Sequence, residues 1–221
     1  MKDTDTISAH QDLQPISLPK PRKDGGKTVL ASLWERKTIR NMREEKLPPR
    51  MLGDLLWAAF GVNRETGPIG RAGRTAPSGM NLQAMDIYVA FPEGVYLYEA
   101  AHHRLSPVVA QDVRAMTNRR PAAGTAPAVF IYVVNTDVEV GPPPGGPLPG
   151  GPPPGVAPKM TTSPCFGEVE AGFVGQNVYL FCASEDLATW FYATDREGLA
   201  KAMHLRSTQK VIYCQAVGYP G

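Results

Sequence analysis

Two short stretches of this chain have residue types and spacings suited to gripping a flat, anionic ligand. In Glu35-Arg-Lys-Thr-Ile-Arg40, cations and a hydroxyl crowd the end of a helical pattern. Guanidinium groups and a hydroxyl placed so closely make charge-assisted bonds to phosphate oxygens. Taken alone, the same hexapeptide also suits a solvated basic helix end. The second stretch, Arg74-Thr-Ala-Pro-Ser-Gly-Met-Asn-Leu-Gln-Ala-Met-Asp-Ile-Tyr-Val89, delivers a polar turn straight into a strand. Asn81 and Gln83 carry amide donors and acceptors, and Gly79 permits close approach of the backbone, so the turn suits a flat polar ligand. An ordinary Pro-Ser-Gly turn with a hydrogen-bonding asparagine is the bland alternative.

The elements around these stretches must supply the scaffold. At 221 residues and 43% apolar content, the chain is long enough to bury a sizeable core, most economically as one domain. A net charge of +2 argues against nucleic acid or an anionic membrane as partner. The first residues lack an apolar signal core and no run approaches a membrane span, so a soluble cytoplasmic protein is expected. Cys165, Cys182 and Cys214 are odd in number, widely spaced and set among apolar neighbours. They suit small buried thiols better than disulfides or zinc, and no metal site is expected.

Residues 1–27, with Pro15, Pro19, Pro21 and Gly25-Gly26, read as an N-terminal arm whose Ile16 and Leu18 are free to dock. Residues 28–221 form the domain. Helices are expected over Thr28–Trp34 and Pro48–Phe60, both amphipathic, the second opened by proline and closed by Gly61. Strands follow at Asp86–Phe91 and Gly94–Tyr98, joined through Pro92-Glu93. Val108–Asn118 is expected to be helical, and the apolar run Ala128–Val134 a buried strand. The proline-glycine tract at 141–158 must be a loop or polyproline II segment. Phe166–Asp186 is the best central helix, with Val169, Phe173, Val174, Val178 and Phe181 at helical spacing, and should be largely buried. Ala188–Tyr192 is a short strand or loop, Asp195–Leu205 a short helix and Lys210–Val217 the final strand. His102-His103 falls on a hairpin loop and reads as surface polarity rather than catalysis.

Four motifs recur here in a familiar order. Arg36, Lys37, Thr38 and Arg40 match a basic R-x-S/T-x-R-like segment, and Pro77-Ser-Gly-Met-Asn-Leu-Gln83 matches P-S-x-x-N-x-Q. Gly172-Phe-Val-Gly-Gln-Asn-Val-Tyr-Leu180 matches G-x-x-x-Q-N-x-x-L, and Ala188-Thr-Trp190 falls where a G-L-G-T segment usually stands. Ala216-Val-Gly-Tyr-Pro220 matches A-x-G-Y-P. From Trp34 to Pro220 the chain thus resembles the nitroreductase family of flavin enzymes. Arg74–Ser78 leading into a strand, with Gly94–Pro107, looks like the SagB-type dehydrogenase branch, although Met80-Asn81-Leu82-Gln83 has the commoner nitroreductase form.

The resemblance implies an α+β nitroreductase-like fold, a central mixed and mostly antiparallel sheet flanked by helices. It implies FMN as cofactor, held at its phosphate by Arg36, Lys37, Thr38 and Arg40. Near the ring it places Pro77, Ser78, Gly79, Asn81 and Gln83 from the partner subunit of a homodimer, and Ala188 and Thr189. NAD(P)H is the implied electron donor, and a nitroaromatic or quinone the acceptor, in a ping-pong cycle with no side chain as catalytic acid or base. The alternatives are oxidation of a peptide heterocycle, as in SagB-type enzymes, and a flavin-binding protein with little turnover. Gln176 and Asn177 are expected to be structural amides. Asp186-Leu-Ala-Thr replaces Gly-Leu-Gly-Thr, and the chain ends at Gly221 without the tail of many relatives. The arm, through Ile16 and Leu18, is expected to wrap the partner subunit in its place.

Overall fold

The computed structural model describes residues 13–67, 71–118, 120, 124–139, 159–161 and 164–221. In chain order the elements are β1 (Ile16–Ser17), α1 (Val29–Glu35), α2 (Pro49–Phe60), β2 (Val62–Arg64), β3 (Gly73–Arg74), β4 (Met85–Phe91), β5 (Gly94–Glu99), β6 (Arg104–Val109), β7 (Ala128–Asn135), β8 (Asp137–Glu139), β9 (Lys159–Thr161), α3 (Pro164–Ser184), β10 (Ala188–Tyr192), α4 (Arg196–Ala202) and β11 (Gln209–Gly218). Seven strands make one sheet in the order β1-β6-β5-β4-β7-β11-β10, and every pairing in it is antiparallel. The pairs β2 with β3 and β8 with β9 form separate ribbons. The class is α+β, as expected. The tract at 141–158 and the first twelve residues of the arm lie outside the described residues.

Strand β7 explains the core. Its run of apolar residues from Ala128 to Val134 is buried throughout, because the strand is central and both faces of the sheet are covered. Ala128, Phe130, Tyr132 and Val134 face α2 and α3, whereas Val129, Ile131 and Val133 face Leu199 of α4. α2 starts with Pro49 at its first turn, where a missing N–H costs nothing, and buries Leu52, Leu55, Leu56, Ala59 and Phe60 against the sheet. Truncating Leu55, which is fully buried, would cost about 2–5 kcal/mol. Among the described residues no helix is long and apolar enough to cross a membrane.

Four expectations are corrected. Val108 and Val109 are not helical: they complete β6, paired to β5 through Tyr96↔Pro107 and Val95↔Val109, and only a short 3-10 turn at Arg114–Met116 follows. β-branched residues beside a hairpin partner gain more as strand than as helix. The arm packs on its own chain: Ile16 pairs with Leu105 at the sheet edge, and Leu18 enters the core beside Gly53 of α2. A Cβ at Gly53 would lie 3.3 Å from the Pro19 carbonyl oxygen, so glycine allows arm and helix to touch. His103, expected to face solvent on a hairpin loop, clasps the arm: its Nε2 lies 3.0 Å from the Pro19 oxygen and its Nδ1 3.0 Å from the Tyr98 hydroxyl.

The fourth correction concerns the helices. α1 is capped by Thr28, whose hydroxyl oxygen accepts the Ala31 N–H at 3.2 Å, but the residue it buries is Ser32. Val29, Leu30, Leu33 and Trp34 face outward, Trp34 with 90% of its surface exposed. On α3, Ala171, Val174, Val178 and Cys182 are buried as expected, whereas Phe166, Val169 and Phe173 are exposed, Phe173 by 45%. Both helices therefore carry an apolar face that the described residues do not cover.

Candidate functional site

α1 ends where the Arg36 N–H closes on the Ser32 carbonyl at 2.8 Å, and the chain then runs extended beside the edge strand β10. The Ile39 N–H donates to the Thr189 carbonyl at 3.1 Å, which pins the segment there. Arg36 and Thr38 meet at Tyr179 of α3: the two hydroxyls are 2.9 Å apart, and the Arg36 guanidinium lies 5.4 Å from the ring centre. The Tyr179 oxygen also accepts the Phe191 N–H at 3.1 Å, so one phenol ties α3, β10 and the basic segment together. Arg40 goes elsewhere. Its guanidinium lies over Trp190, 5.4 Å from the ring centre, and Trp190 packs on the sheet face opposite α3. Among the described residues Arg36, Lys37 and Arg40 form no ion pair, whereas Arg22, Lys27, Arg43 and Lys46 nearby are all paired. Cations left without a counter-charge raise the local potential for an anion.

Beside this segment opens a cleft of about 470 Å³, lined by Trp34, Lys37, Ile39, Tyr179, Asp186 and Pro220. Asp186 stands at φ 56, in the left-handed region that glycine adopts freely and aspartate tolerates better than most. The residue at the first position of the Gly-Leu-Gly-Thr pattern thus takes a conformation that glycine adopts freely. Lys27 spans the cleft's edge, its Nζ 2.6 Å from Asp186 and 2.7 Å from Glu35, and ties the end of α1 to the end of α3.

The turn from Pro77 to Gln83 is strained. Met80, Asn81 and Gln83 all have positive φ, at 53, 54 and 52°, which costs a non-glycine residue roughly 1–2 kcal/mol each. A dense set of bonds holds it. The Gln83 N–H donates to Ser78 Oγ at 2.7 Å, and the Ser78 hydroxyl to Glu170 Oε1 at 2.6 Å. Gln83 Nε2 donates to Asn81 Oδ1 at 2.9 Å, Gln83 Oε1 accepts from Arg74 Nε at 2.7 Å, and Asn81 Nδ2 donates to the Arg71 carbonyl at 3.3 Å. The amides expected to face a ligand are therefore first used to fix the turn to β3. Pro77 and Gly79 are exposed, and Gly79 rests against Phe166, whose ring would lie 3.2 Å from an added Cβ.

Ala188 and Thr189 differ from the others. Ala188 is fully buried, and the Thr189 hydroxyl donates to the Ala216 carbonyl at 3.0 Å while accepting from Gln215 Nε2 at 2.9 Å. Of the two, Thr189 meets the basic segment through its backbone carbonyl. The turn packs at Glu170 and the basic segment at Tyr179, nine residues apart on α3, or about 14 Å along the helix.

The Nitroreductase family model matches residues 33–219. The chain belongs to the nitroreductase family. The crystal structure of a candidate nitroreductase from Ralstonia eutropha JMP134 is 32% identical, aligns over 97% of this chain and 92% of its own, and has a TM-score of 0.77. A candidate nitroreductase from Anabaena variabilis ATCC 29413 shares the fold at 14% identity and TM-score 0.68, over 100% of this chain and 45% of its own. A candidate NADH dehydrogenase/NAD(P)H nitroreductase from Bacteroides thetaiotaomicron VPI-5482 shares it at 14% identity and TM-score 0.55, over 89% and 88%. No functionally curated protein matches the chain. Membership of the nitroreductase family supports a general oxidoreductase role.

Two residues that hold the candidate site together are not among those expected from the sequence. Tyr179 stands beside Val178 on the apolar α3, where its pattern shows only bulk, yet its hydroxyl organises the basic segment. Glu170 lies at four-residue spacing from Val174 and Val178, so its place on the buried stripe of α3 was available from the pattern. Asn177 bears out its structural reading by donating to the Ala59 carbonyl at 3.4 Å, whereas Gln176 is exposed on the Phe173 face. The free thiols of Cys182 and Cys214 are buried, and burial pushes Cys214 up to about 12 and Cys182 higher still, which keeps both protonated and poor as nucleophiles. The side chain of Cys165 lies outside the described residues.

Proposed function

We propose that the protein is an FMN-dependent NAD(P)H oxidoreductase acting as a homodimer. The observation that carries this is the adjacent pair Arg36 and Lys37, without an ion pair among the described residues, beside the Thr38 hydroxyl in a nitroreductase-family chain. The residues present fit the phosphate end of a flavin: Arg36 and Lys37 supply charge, Thr38 a hydroxyl held in place by Tyr179, and Arg40 would have to leave Trp190 to join them. Bound there, FMN would take hydride from NAD(P)H and pass electrons to a nitroaromatic or quinone in a ping-pong cycle. The chain's own work is positioning. The strained turn at 77–83 presents its exposed side, preset by the Ser78, Asn81 and Gln83 bonds, to the ring in the partner subunit. The uncovered apolar faces of α1 and α3 support the dimer that brings the two halves together.

The test is the absorption spectrum of freshly purified protein, then anaerobic addition of NADH or NADPH. A yellow protein bleached by either supports the reading, and a colourless one that takes up no added FMN refutes it. Bleaching only by an azoline peptide would instead favour the SagB-type direction. Arg36→Ala should weaken FMN binding by about 1.5–3 kcal/mol, the worth of one charge-assisted contact. Unchanged affinity removes the phosphate assignment.

A further inference from the structure

Glu170 is the least expected group in α3. It is a carboxylate with 3% of its surface exposed, wedged between the helix and the strained turn. One oxygen accepts the Ser78 hydroxyl at 2.6 Å, and Oε2 has no hydrogen-bond partner among the described residues. Ser78 Oγ is already an acceptor, from the Gln83 N–H at 2.7 Å. A serine has one hydrogen and two lone pairs. While Glu170 is ionised, that hydrogen is committed inward, and Ser78 can only accept from a ligand. Once Glu170 is protonated, its O–H can donate to Ser78 Oγ, both lone pairs are filled, and the serine hydrogen is released outward.

We propose that Glu170 sets the direction in which Ser78 donates, so that docking of a hydrogen-bond acceptor on the turn is coupled to uptake of one solvent proton by Glu170. This rests on the reading that the turn meets a flavin, whose carbonyl oxygens are such acceptors. No covalent bond changes apart from the O–H formed on Glu170. The anchor also holds the turn: Ser78 joins Gln83 to α3, so the proton sits at the base of the strained segment.

The surroundings leave the balance to few groups. Burial pushes the Glu170 carboxyl up, and the Ser78 hydroxyl and the Gly79 and Met85 amides pull it down. On α3, Glu168 is paired with Arg196 at 3.3 Å. Beside the turn, Arg74 is bonded to Gln83 and to the Phe60 carbonyl, and on β4 Asp86 lies in the field of Arg74 and Arg206. On β7, the buried Tyr132 hydroxyl donates to Gln215. The Glu170 carboxyl is governed chiefly by its burial and by the donors of the turn and of β4.

The test measures FMN binding by calorimetry at neutral pH in buffers of different ionisation enthalpy, and the pH dependence of affinity, in wild type, Glu170→Gln and Glu170→Asp. Wild type should take up about one proton per FMN and lose affinity by about tenfold per pH unit above the Glu170 titration. Glu170→Gln should take up none and bind with no such slope, and Glu170→Asp should restore both. The phosphate's own ionisation is common to all three and cancels in the difference. Equal uptake and slope in wild type and Glu170→Gln overturns the proposal and leaves the flavin reading standing. A second arm needs no flavin: the infrared band of the protonated Glu170 carboxyl should titrate at a different pH in Ser78→Ala, and an unmoved titration overturns the proposal by itself. If FMN binds at no pH, the flavin reading falls and takes the ligand half of the proposal with it.

Discussion

Replacing Arg22 with methionine removes one bond from a buried carboxylate and leaves the rest of the arm intact. Asp54 lies in the middle of α2 with 4% exposure, and Arg22 reaches it twice: its backbone N–H to Oδ1 at 2.9 Å and its Nε to Oδ2 at 2.5 Å. The guanidinium goes on to Glu185 at the end of α3, 3.1 Å away. Methionine keeps the backbone bond and the aliphatic stem but strands Oδ2. Stranding a buried charge completely costs about 3–5 kcal/mol, and losing one charge-assisted bond about 1.5–3. Here Oδ1 stays bonded and the Arg22 side chain is 39% exposed, so water can enter, and about 2–3 kcal/mol is expected. For a domain of this size that lowers the melting temperature by roughly 5–10 °C. Circular dichroism melts read the shift, and limited proteolysis within residues 13–27 should quicken. Adding Asp54→Asn should recover part of the loss by removing the stranded charge. A melting point within about 1 °C of wild type, with no change in proteolysis, would refute the claim that the arm is an integral layer of the fold. A loss that Asp54→Asn does not relieve would show that the stranded charge is not its cause.

Other outcomes are open to direct measurement. Burial pushes Asp86 up to about 6 despite Arg74 and Arg206, so its favourable contribution is present below the unfolded value near 4 and is lost as pH rises through 6. Asp86→Asn should therefore gain stability relative to wild type between pH 4 and 6, by about 2–3 kcal/mol, then level off; a difference flat with pH in urea titrations sinks this. Gln215 is fully buried, accepts from the Tyr132 hydroxyl at 2.6 Å and donates to the Thr189 hydroxyl at 2.9 Å. Gln215→Leu should cost about 2–4 kcal/mol in urea denaturation, and a loss under about 1 kcal/mol would mean the network is not needed. Phe173→Glu on the uncovered face of α3 should convert dimers to monomers in sedimentation while leaving the fold intact. A wild-type monomer with full FMN occupancy would defeat the dimer itself.

Much of the fold could be read from local pattern. α2 lies between Pro48 and Gly61, the hairpin of β4 and β5 turns at Pro92-Glu93, and the unbroken apolar run of β7 marks a strand covered on both faces. These elements are specified by properties that repeat along the chain: periodicity, turn chemistry and proline geometry. The basic segment Arg36–Arg40 was legible as cations close together in sequence, and it forms one extended stretch pinned to β10 by the Ile39 N–H.

What tertiary structure alone decided is which partner each polar or apolar group found. Leu18 and Arg22 could have met a second subunit, but the gap over Gly53 and the buried Asp54 place them on their own α2. Leu33 and Phe173 have the spacing of core residues, yet they face outward, since a periodic stripe states that a face is apolar and not what covers it. Arg40 parts from Arg36 because an indole lies on the other side of β10. Asn81 and Gln83 bind their own turn before any ligand, and Glu170 meets Ser78 across 92 residues of chain. Such pairings depend on distance in space between segments far apart in sequence, and no window along the chain contains that information.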